Sequence, residues 1–165
     1  MPSTKMRHRP FIIRDLRNNG INAIIMGGDS YVASAIIKTA LSHANNIYFT
    51  THVFLNPNAT SPSLQAFIKH YRKKFHVSPQ NAFSALGYDT VNLVAFVFKQ
   101  ANGLSAKDFI KALSKVKNFP GITGNISYTG GRHIPVKPVS IVSIMDDKPM
   151  LVTRLVPRYE PEAVR

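Results

Sequence analysis

The sequence has no cysteine, and its 8 acidic residues are far outnumbered by 21 lysines and arginines. Without cysteine there are no disulfides, no thiol nucleophile and no cysteine-ligated metal, and either an oxidising or a reducing compartment is compatible. Long apolar runs are missing too. Ile21–Ile25 and Val91–Phe98 are short and broken by polar neighbours, so no segment reads as membrane-spanning. An export signal is not recognisable: Met1–Pro10 carries Lys5, Arg7 and Arg9, and Arg14, Asp15 and Arg17 follow where a secretory signal needs an apolar segment. Taken as complete, the chain is expected to be cytoplasmic. What is present is 165 residues at 44% hydrophobic content, enough for one domain, or one and part of another, around a continuous core.

A net charge of +13 invites a nucleic-acid reading, for which clustering is the test. The densest basic run, Lys69, Arg72, Lys73 and Lys74 with His70 and His76 beside it, shares its stretch with Leu64, Phe67, Ile68, Tyr71 and Phe75 at helical spacing. That pattern is the solvated face of one amphipathic helix, and no zinc-finger spacing, RNA-recognition signature or arginine-rich tail supports a nucleic-acid partner. His43, His52, His70, His76 and His133 contain no HxxxH or HxxEH pair, so no metal is expected. Gly27-Gly28-Asp29 and Gly121-Ile122-Thr123-Gly124 lack the GxGxxG pattern and the Walker lysine, and no GxSxG elbow occurs. The expectation is a protein that is not an enzyme and carries no cofactor.

Phe11–Asn18 reads as the end of a helix closed by Asn19-Gly20. Ile21–Met26 reads as a short strand, broken by Gly27-Gly28 ahead of Asp29-Ser30, two residues suited to capping a helix. That helix resumes at about Tyr31, with Ile36, Ile37, Ala40 and Leu41 as its buried stripe, and a second strand follows at Ile47–Thr51. The α-β-α-β alternation implies a parallel sheet covered by helices, with ligand-binding loops at the carboxyl ends of the strands. After His52, the loop Asn56–Pro62 leads into three helices, about Ser63–Phe75, Asn81–Gln100 and Ser105–Val116, the last capped by Ser105. Beyond Pro120 come glycine-rich turns around Gly130-Gly131, a short strand at Asn125–Tyr128, and a hairpin of Val139–Met145 and Met150–Val156 over Asp146–Pro149. The tail from Pro157 is expected to be loosely held.

Several stretches, in order, carry a family resemblance: Leu16–Ile21 into Met26–Tyr31, Tyr48–His52, Gln65–Phe67 with Tyr71, Ala85–Leu93, Phe119–Gly124 and Pro135–Pro138. Over residues 12 to 160 the chain resembles the C-terminal half of the leucine/isoleucine/valine-type amino-acid-binding proteins that serve ABC transporters. The resemblance implies a three-layer αβα type I periplasmic-binding fold, present in part. Residues 1–55 would be the end of lobe two, 56–120 the crossover and lobe-one helices, and 121–165 the return strands and tail. It also implies a branched-chain or related amino acid as ligand, an ABC transporter permease as partner and a periplasmic location.

Asp29 matches the family's acidic position for the ligand's α-ammonium; read from position alone, it is a helix N-cap, a role Ser30 could take instead. Tyr88 matches the aromatic that covers the ligand's aliphatic part, while periodicity alone makes it a core residue beside Leu86, Val91, Leu93 and Ala95. Tyr31 and His52, just past the two strand ends, are weaker candidates for the same cleft. The alternative is an oligomeric structural module that binds no amino acid, and a basic nucleic-acid-binding protein ranks third. The serine- and threonine-rich loops that hold the ligand's carboxylate in the family have no counterpart in these residues, and Val91, Leu93, Val94, Phe96, Val97 and Phe98 are too many for one helix face. The chain alone is therefore expected to form a homodimer or higher oligomer and to bind amino acids weakly or not detectably. Light scattering across a dilution series, beside calorimetry, checks this; a monomer with micromolar affinity, about −8 kcal/mol, would contradict it.

Overall fold

A computed structural model describes residues 9–29, 31, 43–56, 61–128, 134–146 and 148–157. The helix expected from Tyr31 over Ile36, Ile37, Ala40 and Leu41, the Ser30 cap, the Gly130-Gly131 turn and most of the tail lie outside the described residues. Two compact units form: Met1–Phe54 with Ser140–Arg154, and Leu55–Val139 with Leu155–Arg165.

The first unit is built on helix α1 (Arg9–Asn18) and a four-stranded sheet in the order β1 (Ile25–Gly27), β2 (Ile47–Thr51), β5 (Val139–Met145), β6 (Lys148–Leu155). β1 and β2 are parallel, as the alternation predicts; β5 joins β2 antiparallel, so the sheet is mixed. Register sets the core. Ile47 lies between Ile25 and Ile144, and Phe49 between Gly27 and Val142, so alternate residues of each strand stack on one face with Ile13 and Ala44.

Gly20, at φ 76°, closes α1, a conformation glycine adopts without steric strain. The first strand is shorter than Ile21–Met26 and starts at Ile25. The cause lies in Arg17, whose guanidinium donates hydrogen bonds to the carbonyls of Ile21 (2.6 Å), Ala23 (2.9 Å) and Asn45 (3.0 Å), ordering that segment through a side chain rather than a ladder. The hairpin β5–β6 forms, with its second strand beginning at Lys148 rather than Met150.

The second unit contains α2 (Pro62–Phe75), α3 (Ala82–Gln100), α4 (Ala106–Leu113) and the small antiparallel pair β3 (Phe119–Gly121) and β4 (Gly124–Ile126). Each helix starts on a side-chain cap: Ser61 Oγ accepts from Leu64 N–H, Asn81 Oδ1 from Phe83 N–H, and Ser105 Oγ from Asp108 N–H. α2 buries Leu64, Phe67 and Ile68 and exposes Lys69, Arg72, Lys73 and Lys74, the solvated face its spacing predicts. α4 ends at Leu113, short of Val116, after which Lys115 and Val116 donate to carbonyls three residues back. Leu93, Val97, Val116, Phe119 and Ile126 form the core of this unit. Among the described residues no helix is long and apolar enough to cross a membrane.

The buried stripe of α3 runs Ala85, Asp89, Leu93, Val97 at spacing four, so one of its members is a carboxylate. Asp89 is 3% exposed and accepts three hydrogen bonds from the β3–β4 turn: Ile122 N–H (2.8 Å), Thr123 N–H (2.9 Å) and Thr123 Oγ1 (2.6 Å). Gly121 is glycine because a Cβ there would stand 2.7 Å from Asp89 Oδ2 and 2.9 Å from the Gly124 carbonyl oxygen. A buried charge needs this company, since an unpaired one is strongly destabilising.

Replacing Asp89 with alanine is expected to lower stability by about 3 kcal/mol, because three buried donors lose their acceptor. Urea unfolding followed by circular dichroism measures it; a loss under about 0.5 kcal/mol, the level of an ordinary surface change, would contradict the latch. Burial also pushes the Tyr128 phenol above its ordinary value. A raised folded-state value means the unfolded chain ionises first, so this contribution is intact below about pH 10 and is lost as pH rises further. The urea midpoint should then fall more steeply in alkali for the wild type than for Tyr128→Phe.

Candidate functional site

Because β1 and β2 are parallel neighbours with Gly27 beside Phe49, their carboxyl ends deliver Asp29 and His52 to the same edge of the sheet. His52 Nε2 lies 3.4 Å from Asp29 Oδ2, and the Asp29 side chain stays 51% exposed. The Tyr31 N–H donates to the Gly28 carbonyl at 3.1 Å, making a tight turn with Asp29 just inside it. The Tyr31 ring stacks on Phe49 with centroids 6.4 Å apart. It also lies against Gly27, where a Cβ would meet ring atoms at 2.5 to 2.7 Å. Glycine at the end of β1 is thus what lets Tyr31 fold back over the strand.

The three candidates at the strand ends, Asp29, Tyr31 and His52, therefore share one site in the first unit. It offers a solvent-reachable carboxylate beside an imidazole, with the Tyr31 ring packed on Phe49 and Gly27 of the two strands that carry them. Such a site can bind a cation by charge-assisted hydrogen bonding. Among the described residues no three histidine, aspartate or glutamate side chains group as a metal site would require.

Tyr88 belongs to the second unit, on α3. It is 49% exposed, which corrects its reading as core, and its ring lies 5.3 Å from that of Phe67. Val91, at 70%, is more exposed still, so within the chain α3 is buried along a single stripe and its other apolar residues are left uncovered. Burial on α3 follows the Ala85–Asp89–Leu93–Val97 row, and Tyr88 lies one position off it. Its ring helps line a groove of about 470 Å3 with Phe67, Tyr71, Phe75, Lys74 and Ile122.

Asp89, which holds the β3–β4 turn to α3, is the residue that reading the sequence leaves without a role. The signal was present: an aspartate at the helical spacing of an apolar stripe must find donors, and the glycine-flanked turn Gly121–Gly124 supplies them. The Asp29–His52 contact had no such signal, since it arises from strand pairing between residues 23 positions apart in sequence.

A search of curated protein sequences finds no match. Among solved structures, the leucine-binding protein LivK of Thermotoga maritima superposes with a TM-score of 0.77 at 22% identity, over 92% of this chain and 43% of that one. The branched-chain amino acid transporter substrate-binding protein LivJ of Streptococcus pneumoniae, solved in complex with isoleucine, gives 0.72 at 29% identity, over 92% and 42%. A substrate-binding protein of Desulfitobacterium hafniense in complex with Leu gives 0.66 at 20% identity, over 88% and 40%. The chain thus spans less than half the length of these relatives, and its fold is a partial type I periplasmic-binding fold. Residues 9–149 match the profile of the periplasmic binding proteins, and the chain belongs to that family.

Proposed function

We propose that this chain supplies part of the binding site of a branched-chain amino-acid receptor serving an ABC transporter. The observation that carries the reading is the exposed Asp29 carboxylate at the carboxyl end of β1, the edge of an open α/β sheet where ligands bind. The Streptococcus relative, bound to isoleucine, supports an aliphatic amino acid as the ligand. In this reading Asp29 receives the α-ammonium and Tyr31 and His52 wall the same edge; Tyr88, exposed on the second unit, is kept as the family's candidate for covering a ligand's apolar part. Binding is non-catalytic, the location is periplasmic, and a transporter permease is the partner. Residues 1–55 and 56–120 then correspond to the end of one lobe and to the crossover with helices of the other, and 121–165 to the return strands and tail.

A second reading has an observation of its own. Tyr88, Val91, Val94 and Phe98 all stand exposed on α3, and an apolar surface of that extent is suited to association, so self-assembly of the chain is a distinct proposal. Its mark is a mass in light scattering that falls on dilution.

Calorimetry with leucine, isoleucine and valine tests the first reading. A hydrogen bond to a charged group contributes about 1.5 to 3 kcal/mol, so Asp29→Asn should weaken binding about tenfold or more while the circular dichroism stays unchanged. Unchanged affinity would remove Asp29 from the site, and loss of folding would assign it to capping a helix.

A further inference from the structure

The carboxylate offered to a ligand's ammonium already has a base beside it. His52 Nε2 stands 3.4 Å from Asp29 Oδ2, on a side chain that is 34% exposed. When the imidazole is protonated, Asp29 holds a cation; when it is neutral, Asp29 keeps an uncompensated negative charge. One carboxylate oxygen cannot serve two cations in the same place, because like charges at such separations repel.

We propose that His52 is the resident counter-ion of Asp29, and that an amino acid binds by displacing it. The proposal rests on Asp29 being the ammonium site and adds what that site does when empty. In the unliganded protein, imidazolium Nε2–H donates to Asp29 Oδ2. An incoming ammonium N–H takes its place, and the imidazolium, now beside a second cation, gives its proton to solvent. Charge balances: one cation enters as one proton leaves. Among the described residues, the titratable groups that follow the two strand ends are Asp29 and Tyr31 after β1 and His52 after β2, while Arg154 near the end of β6 and Lys137 two residues ahead of β5 are the charged groups at the corresponding ends of the other two strands. β5 contributes Ser140, opposite Thr51, which carries no charge.

Two properties follow. Only the protonated imidazole competes for Asp29, so affinity for an amine falls as acid protonates His52. The site also discriminates by charge: leucine carries the ammonium that displaces His52, whereas 4-methylpentanoate, the same skeleton without it, does not. His52 is in this sense a specificity residue that acts through Asp29.

Calorimetry of leucine at about pH 6, in two buffers of different ionisation enthalpy, counts the protons released on binding. The wild type should release protons. His52→Gln should release none and bind more tightly at that pH, and the permanently charged His52→Lys should bind about tenfold or more weakly. Leucine binding without proton release, or a His52→Lys variant with wild-type affinity, would overturn the proposal. A second readout does not depend on leucine: methylammonium chloride should shift the His52 ring resonances in NMR spectra of the wild type but not of Asp29→Asn, with sodium chloride as control. A ring that does not respond, or responds equally in Asp29→Asn, overturns the competition. A ring that responds to methylammonium in a protein that binds no leucine, isoleucine or valine leaves the competition standing and removes the amino-acid reading instead.

Discussion

A carboxylate set into the apolar stripe of a helix must be met by donors, and the second unit is organised around meeting that demand at Asp89. Two backbone N–H groups and one hydroxyl, all from Ile122 and Thr123, converge on it. The turn can come that close because Gly121 has no Cβ, and the pair β3–β4 that carries it closes at Gly121 opposite Gly124. The same latch fixes the direction of α3. With Ala85, Asp89, Leu93 and Val97 turned inward, Tyr88 one position earlier is left at the surface, its ring against Phe67 and open to a partner. A polar interaction in the core thus decides which aromatic the helix presents outside.

The first unit reaches its site by a different route, through strand register. Parallel pairing of β1 with β2 brings two loops, far apart in the chain, to one edge of the sheet, and places a carboxylate and an imidazole within ion-pair distance. Ile47 and Phe49 hold that register by burying against Ile144 and Val142 on the other side, since a slip of one residue would turn both out of the core. The packing that stabilises the sheet is therefore also what sets the distance between Asp29 and His52. Glycine at position 27 then lets the Tyr31 ring lie against the end of the strand and stack on Phe49.

Local chemistry made much of the fold legible from sequence. Serine and asparagine caps, a glycine stop and helical spacing of Leu64, Phe67 and Ile68 are short-range signals, and the helices appear where those signals stand. The beginning of β1 was not legible, because Ile21–Ile24 has the composition of a strand while its carbonyls are claimed by an arginine on the preceding helix. Within the chain only one stripe of α3 is buried, the one that carries the latch at Asp89, and apolar composition alone does not say which residues of a helix its own chain covers. Asp29 and His52 were each visible as strand-end residues, but their contact depends on pairing that no local pattern encodes.

The central claim is that an amino acid binds at the carboxyl ends of β1 and β2. Mapping backbone amide shifts by NMR as leucine is titrated into the protein tests this most directly. The largest shifts are expected on Gly27 to Asp29, Tyr31 and Thr51 to Val53, and they should vanish in Asp29→Asn. Saturable shifts that spare these residues and gather elsewhere on the chain would contradict it.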